Sequence, residues 1–399
     1  MLATMRTNHR WLALSALSIA LLGSVATGKE PGFFETDLVV NKSVNGVPTL
    51  TDKNGIVHVA KFFDPHLVNP WGIATSATSP FWVSDNGRGV STLYNTTGAA
   101  LALVVSIPTP GHPLSADGAP TGTVFNIASA QQAFKISGVT RTGTAITAPA
   151  VFLFATENGT ILGWNPNVNP PGFDPAKAGT YAIIAVDHST QGAVYKGLAI
   201  ATDATGTTFL YATNFNAGTV EVFGAQFLPP ALPPDAFTDP RLPNGYAPFN
   251  ITPLTVNGAL KLFVTYAVQD SDKHDDVAGE SHGIVDTFNF DGDGVARFAQ
   301  HGQLNSPWGT ALAPPGFGDF AGDVLIGNFG NGHINVFDPV TGRFISKLRD
   351  AHGQAIVIDG LWALRVGNGG NGGNPKTVYF TAGPNEEADG LFGSLTPNE

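Results

Sequence analysis

The 399-residue sequence contains no cysteine and only two methionines. Without thiols there can be no disulfide framework, no thiolate metal site and no cysteine nucleophile, so the core must hold by packing alone. Charge is scarce as well. Asp, Glu, Lys and Arg together make up 13% of the chain, against roughly 25% in an average soluble protein. The balance is acidic, 31 Asp plus Glu against 20 Lys plus Arg, for a formal net charge of −11. No basic stripe occurs, and a phosphate backbone would require one, so no nucleic-acid partner is expected. The longest apolar run is about a dozen residues, short of the roughly 20 that span a bilayer as a helix. The serines lack a Gly-x-Ser-x-Gly context, and no nucleophile–base pair can be argued from spacing.

What is abundant is strand and turn material. With 48 Gly, 29 Pro and 43% apolar residues, the chain is expected to be all-β, built of short strands and tight turns. Residues 1–26 read as a cleavable signal peptide. Arg6 and Arg10 precede the apolar run from Trp11 to Leu22, and Ser24-Val25-Ala26 gives the small-x-small cleavage pattern. A membrane anchor is the alternative, and the shortness of the run opposes it. The mature chain is therefore expected to be soluble, secreted or periplasmic, and without a membrane span.

Two distant stretches echo one another. Asn69-Pro70-Trp71-Gly72 is followed by Phe81-Trp82-Val83-Ser84-Asp85-Asn86; Ser306-Pro307-Trp308-Gly309 is followed by Val324-Leu325-Ile326-Gly327-Asn328. Such an echo means a repeat. Aligning the end of the second strand gives six counterparts: Asp85, Glu157, Asn214, Tyr266, Asn328 and Ala382. Leading strands begin at Trp71-Gly72, Gly122-Thr123, Gly197-Leu198, Phe249-Asn250, Trp308-Gly309 and Trp362-Ala363. Third strands carry an aromatic and follow Gly-containing turns. Six such units predict a six-bladed β-propeller occupying residues 35–397 as one domain. A β-helix or a sandwich is the alternative, and a sandwich leaves the repeat unexplained. The sixth repeat stops after its third strand, so Glu35 to Val40 is expected to close the ring as the outer strand of the last blade. The proline-rich stretch from Leu228 to Pro248 reads as an elaborated connection, because the repeat resumes in phase beyond it.

In such blades the start of the first strand and the end of the second lie on one face. Asn69, Trp71, Asn86, Asn158, Trp308 and Trp362 are thereby expected near a channel mouth as ligand-binding residues. The acidic loop with Asp270, His274, Asp275 and Asp276 joins them, as does Glu386. Asp85, Glu157, Asn214 and Asn328 are the metal-ligand candidates, since Ca²⁺ takes 6–8 oxygen ligands. Against that stands turn chemistry: Asp and Asn at strand ends commonly bond their own backbone. His274 or His282 among carboxylates could serve as a general base, or simply lie in a solvated loop. Asp291-Gly292-Asp293-Gly294 resembles an EF-hand start, but Gly302 stands where the loop needs its final Glu, so a hairpin turn is expected. The tryptophans suit either ring stacking or packing between blades.

The motifs Leu67-Val68-Asn69-Pro70-Trp71-Gly72-Ile73-Ala74, Lys273-His274-Asp275-Asp276-Val277-Ala278-Gly279 and Tyr379-Phe380-Thr381-Ala382-Gly383-Pro384-Asn385 resemble an uncharacterised family of exported bacterial six-bladed propellers. Many of its members end in a PEP-CTERM sorting signal. The resemblance runs from about Leu38 to Pro397 and implies the propeller and export, with no activity attached. The ending Ser394-Leu395-Thr396-Pro397-Asn398-Glu399 lacks that signal. The architecture is more distantly similar to NHL-type and gluconolactonase-like propellers, which hold a divalent cation at the channel mouth. Two functions are thus expected as rivals. One is a non-catalytic monomer binding a small molecule, glycan or envelope protein. The other is a Ca²⁺-dependent lactonase-like hydrolase, with Asp85 as ligand or base. A structural envelope component is a third.

Overall fold

The computed structural model describes residues 32–398; the expected signal peptide at 1–26 lies outside them. The described chain is all-β. It opens with β1 (Phe33–Val40), the short strands β2 (Ser43–Val44), β3 (Val47–Thr51) and β4 (Val57–Val59), and β5 (Phe62–Phe63). An antiparallel sheet follows: β6 (Pro70–Ala74), β7 (Phe81–Asp85), β8 (Val90–Tyr94) and β9 (Val105–Ser106). The next contains β10 (Pro120–Phe125), then an inserted hairpin β11 (Lys135–Val139) and β12 (Ala145–Pro149), then β13 (Phe152–Thr156), β14 (Thr160–Trp164) and β15 (Ile183–Asp187). A three-stranded sheet has β16 (Tyr195–Thr202), β17 (Thr208–Asn214) and β18 (Thr219–Phe223). Then come β19 (Tyr246–Val256), β20 (Ala259–Val268), β21 (Ile284–Phe288) and β22 (Ala296–Gln300), followed by β23 (Pro307–Leu312), β24 (Val324–Asn328), β25 (Ile334–Phe337) and β26 (Phe344–Lys347). The last sheet is five-stranded, in the order β27 (Leu361–Val366), β28 (Val378–Ala382), β29 (Leu391–Pro397), β1 and β5, so β5 and not β1 is its outermost strand. No helix among the described residues is long and apolar enough to cross a membrane.

β1 pairs antiparallel with β29 from Phe33↔Pro397 to Val40↔Leu391, so the segment before the first repeat lies in the sheet of the last one. The first strand of each sheet neighbours that of the next: β6 with β10, β10 with β16, β16 with β19, β19 with β23, β23 with β27, and β27 with β6. Side chains cross these junctions. Thr121 Oγ1 donates to the Tyr195 carbonyl at 2.8 Å, Asn250 Nδ2 to the Trp308 carbonyl at 2.8 Å, and Thr381 Oγ1 to the Trp71 carbonyl. This radial succession of antiparallel sheets is the β-propeller architecture.

Every first strand also carries a register shift at the same place, at Pro70/Ile73, Pro120/Thr123, Tyr195/Gly197, Pro248/Asn250, Pro307/Thr310 and Leu361/Leu364. A bulge bends a strand and re-aims its side chains. Small residues at these bulges let neighbouring backbones approach. A Cβ on Gly122 would lie 2.3 Å from the Leu198 amide nitrogen, so Gly is there for close contact.

Among the described residues the β16–β18 sheet has no fourth strand; a proline-rich segment from Leu228 leads instead into β19. Its Phe237 packs between Tyr211 and Phe288, with ring centroids 5.8 and 5.3 Å away. Asp239 pairs with Arg297 of β22. A cavity of about 730 Å³ lies among the six first strands.

Candidate functional site

At the six bulges, Trp71, Thr121, Lys196, Phe249, Trp308 and Trp362 occupy equivalent places, each followed by Gly or Ala except Phe249, which Asn250 follows. The aromatics stack into a plug. Trp71 and Trp362 lie parallel at 3.5 Å between centroids, Trp308 stands edge-on to both at 5.9 and 5.8 Å, and Phe249 is 5.9 Å from Trp362. All four are buried. The tryptophans therefore pack on one another and offer no open face for ring stacking. They form a floor.

Where the third sheet would place another aromatic it places Lys196, 1% exposed. Its Nζ stands 5.0 Å from the Trp71 ring centroid. It bonds Glu157 of the second sheet and, at 3.0 Å, Asp275 of the fourth. Burial disfavours the ammonium, but Glu157 and Asp275 outweigh that and hold its pKa above the ordinary lysine value. Glu157 Oε2 accepts from Asn86 Nδ2 at 2.8 Å; Asn69 Nδ2 donates to Asn86 Oδ1 at 3.3 Å and to Glu387 Oε2 at 2.5 Å. Asn69 Oδ1 accepts from Trp362 Nε1 at 2.9 Å, tying the polar layer to the floor.

The lip is more open. His274 Nδ1 lies 3.0 Å from Asp275 Oδ1. That hydrogen bond raises the imidazole pKa, and with Lys196 it holds the Asp275 carboxyl well below the usual range. Burial pushes Asp276 up to about 6. Glu387 is pushed up to about 7, by burial first and then by the nearby Glu157 charge. It sits in a turn where Asn385, Glu386 and Glu387 all have positive φ, of 60°, 56° and 66°. For L-residues that conformation costs roughly 1–2 kcal/mol each, and it clusters at functional sites.

The structure thus brings together Asn69, Asn86, Glu157, His274 and Asp275 of the expected residues, with Trp71, Trp308 and Trp362 beneath. Others serve elsewhere. Asp85 is fully buried and accepts from Thr92 N at 3.1 Å and Thr92 Oγ1 at 2.7 Å; burial raises its pKa well above the usual range. Asn214 accepts from the Val194 and Ala217 amides and donates to Glu221. Asn328 donates to the Gln303 carbonyl and Asn331. Asn158 and Asp270 accept from backbone amides of Ala119 and His274, and Glu386 is exposed. The four expected calcium ligands are engaged with different partners. Glu157, His274 and Asp275 do place ligand atoms within 4.8 Å of one another and could hold a metal; Lys196 already supplies a positive charge there.

Lys196 escaped the reading of the sequence, which also singled out Glu386 of the acidic 384–389 loop in place of Glu387. Glu387 adjoins the expected Glu386, and only the left-handed turn decides which carboxylate faces Asn69. Lys196 had a signal: a lone cation in a column otherwise made of Trp, Phe and Thr.

No family model matches the chain. An uncharacterised protein of Acanthamoeba polyphaga mimivirus is 32% identical over 348 residues, 86% of this chain and 83% of the relative. Another from the same virus is 30% identical over 341 residues, 84% of this chain and 76% of the relative. Among solved structures, a structural genomics protein of unknown function from Bacteroides thetaiotaomicron overlays with TM-score 0.50 at 12% identity, over 92% of this chain and 76% of that one. A streptogramin B lyase gives 0.49 at 11% identity, over 92% and 98%. At such identities the likeness concerns fold alone. Neither mimivirus relative bears on export or on PEP-CTERM sorting. The sequence identity, sustained over more than three quarters of each relative, places this all-β propeller in one family with the two mimivirus proteins.

Proposed function

We propose that the chain is a six-bladed β-propeller closed through the β1–β29 pairing, and that it binds a small polar molecule at the rim above the Trp71–Trp308–Trp362 floor. The cyclic succession of first strands supports six blades. One observation carries the binding role: an ammonium buried at Lys196, held by two carboxylates from different sheets over an indole. Burying a charge is costly unless it is paired, and an aromatic serves this position in four of the other five repeats. The neighbouring Asn69, Asn86 and Glu387 offer donors and acceptors suited to a hydroxyl-rich or carboxylate-bearing ligand. Export is proposed from residues 1–26 alone.

A second reading has its own support. Glu387, held near neutrality, stands beside Glu157, which Lys196 pairs. Two carboxyls in contrasting surroundings are the arrangement of an acid–base couple, and a lactone or glycoside would be the substrate class. Calcium at this rim is the less favoured cofactor, because Lys196 lies between Glu157 and Asp275.

Thermal-shift and calorimetric screens of polyols, sugar acids and lactones against wild type, Asn69→Ala and Glu387→Gln test both readings. Binding lost in both variants supports the rim site. Hydrolysis of a bound lactone, lost in Glu387→Gln while binding persists, selects the enzyme. Binding that is unchanged in both variants would place the site elsewhere.

A further inference from the structure

Apart from the Lys196 network, β1 and β4 hold a second group of charged side chains. Glu35 and Asp37 alternate on β1, so both fall on one face of the strand. His58 of β4 approaches that face. Its Nδ1 is 3.2 Å from Asp37 Oδ2 and 3.9 Å from Glu35 Oε1. One ligand atom from each of the three residues lies within 4.8 Å of the other two. In a tetrahedral zinc site with bonds of about 2.0–2.1 Å, ligand atoms stand roughly 3.4 Å apart. The spacing observed needs only small side-chain shifts to match.

Two further observations separate this cluster from an ordinary surface group. Glu35 Oε1 and Asp37 Oδ1 are shut off from solvent and accept no hydrogen bond. A buried acceptor left so is costly. The charge is also out of balance. Asp52, whose side chain is fully buried, brings a third carboxylate to 3.8 Å from His58 Nε2. Three carboxyl groups face one imidazole, so acidic groups outnumber basic ones in this cluster. Among the described ion pairs, no Lys or Arg reaches Glu35, Asp37 or Asp52; Lys42 and Lys53 pair with Asp389 and Asp359 instead. A divalent cation would balance that charge and occupy both orphan oxygens.

We propose that Glu35, Asp37 and His58 form a divalent transition-metal site that fastens β1 to the β2–β4 flap. The donor set, two carboxylates and an imidazole, suits Zn²⁺ or Mn²⁺; Ca²⁺ prefers six or more oxygens and is disfavoured. Asp52 plays the part of the carboxylate behind a metal-bound histidine. It faces Nε2, so Nδ1 is the atom presented to the metal. Asp52 is itself fixed, accepting from the Asn54 and Ile56 amides at 2.9 and 2.8 Å. The role is structural: β1 is the strand that joins the chain's start to β29, and a metal would lock the flap onto it.

The test uses chelator-treated full chain titrated with Zn²⁺, Mn²⁺ and Ca²⁺ by calorimetry, with melting followed in parallel. One Zn²⁺ per chain is expected, with a melting rise of at least about 3 °C at a hundredfold excess over Kd. Asp37→Asn and His58→Gln abolish both effects, and His274→Gln leaves them intact. Co²⁺ loaded into wild type gives the visible bands of a four- or five-coordinate nitrogen–oxygen site, a readout that needs no variant to fold. No binding to wild type would overturn the proposal, whatever the variants do. So would binding that survives Asp37→Asn or vanishes in His274→Gln.

Discussion

Replacing Lys196 by Met keeps the aliphatic stem and removes the charge, so the packing beneath the rim is largely retained. Breaking a buried ion pair by removing one partner typically costs about 3–5 kcal/mol, because the other charge is left without compensation. Two features moderate that here. The Asp275 side chain is 64% exposed, so its half of the interaction is screened and worth about 1 kcal/mol or less. Glu157, at 13% exposed, carries most of the effect and keeps only its bond from Asn86. Loss of the contact over Trp71 adds on the order of 1 kcal/mol. The expected sum is a destabilisation of about 3 kcal/mol. Urea unfolding followed by tryptophan fluorescence measures it, since Trp71 lies directly below, and an unchanged m-value shows the same transition is being compared. The double variant Glu157→Gln with Lys196→Met should recover about 2 kcal/mol of the loss, and Asp275→Asn alone should cost under about 1 kcal/mol. A loss below about 1 kcal/mol for Lys196→Met, or strict additivity in the double variant, would refute the view of a buried, mutually dependent pair.

Glu387 gives a pH prediction. Its carboxyl is raised from 4.5 to about 7, so the folded state binds the proton more tightly. Stability from this group is full below pH 4.5 and is lost as pH rises to about 7, by up to about 3 kcal/mol. Glu387→Gln should flatten that part of the stability–pH curve, and an unaltered slope would count against the burial argument. Gly122→Ala sets a Cβ 2.3 Å from the Leu198 nitrogen; a loss of about 1–3 kcal/mol is expected from overpacking between first strands, read as a lower urea midpoint. Thr381→Val removes the hydroxyl that donates from β28 to the Trp71 carbonyl of β6. It should cost about 1–2 kcal/mol in the same unfolding assay, and a neutral result would show that this junction does not depend on it.

How far the sequence could be read depended on how local the relevant forces are. Short strands bounded by Gly, Asn and Pro follow from neighbouring residues, so the repeat and its second-strand ends at Asp85, Asn214, Asn328 and Ala382 were legible and recur in the structure. The segment from Glu35 to Val40 could be assigned to the last sheet because the sixth repeat lacked a strand. The flap β2–β4 and the hairpin β11–β12 were not legible, being insertions outside the repeat; the flap exposes Val44, Val47, Val57 and Val59. Asp85 ended its strand as expected, yet its side chain turns to Thr92 instead of the rim, since neighbours across the sheet decide where a buried carboxylate finds donors.

By itself, then, the sequence determined an all-β chain of repeated strand units, with a small residue after a tryptophan at several strand starts. Only the tertiary structure decided the site. Asn69, Glu157, Lys196, Asp275 and Glu387 come from five different sheets or their loops, up to 318 residues apart, and no local pattern encodes which of them meet. A buried ammonium selects its partners by proximity in a medium of low polarity, and that proximity exists only once the sheets stand around a common axis.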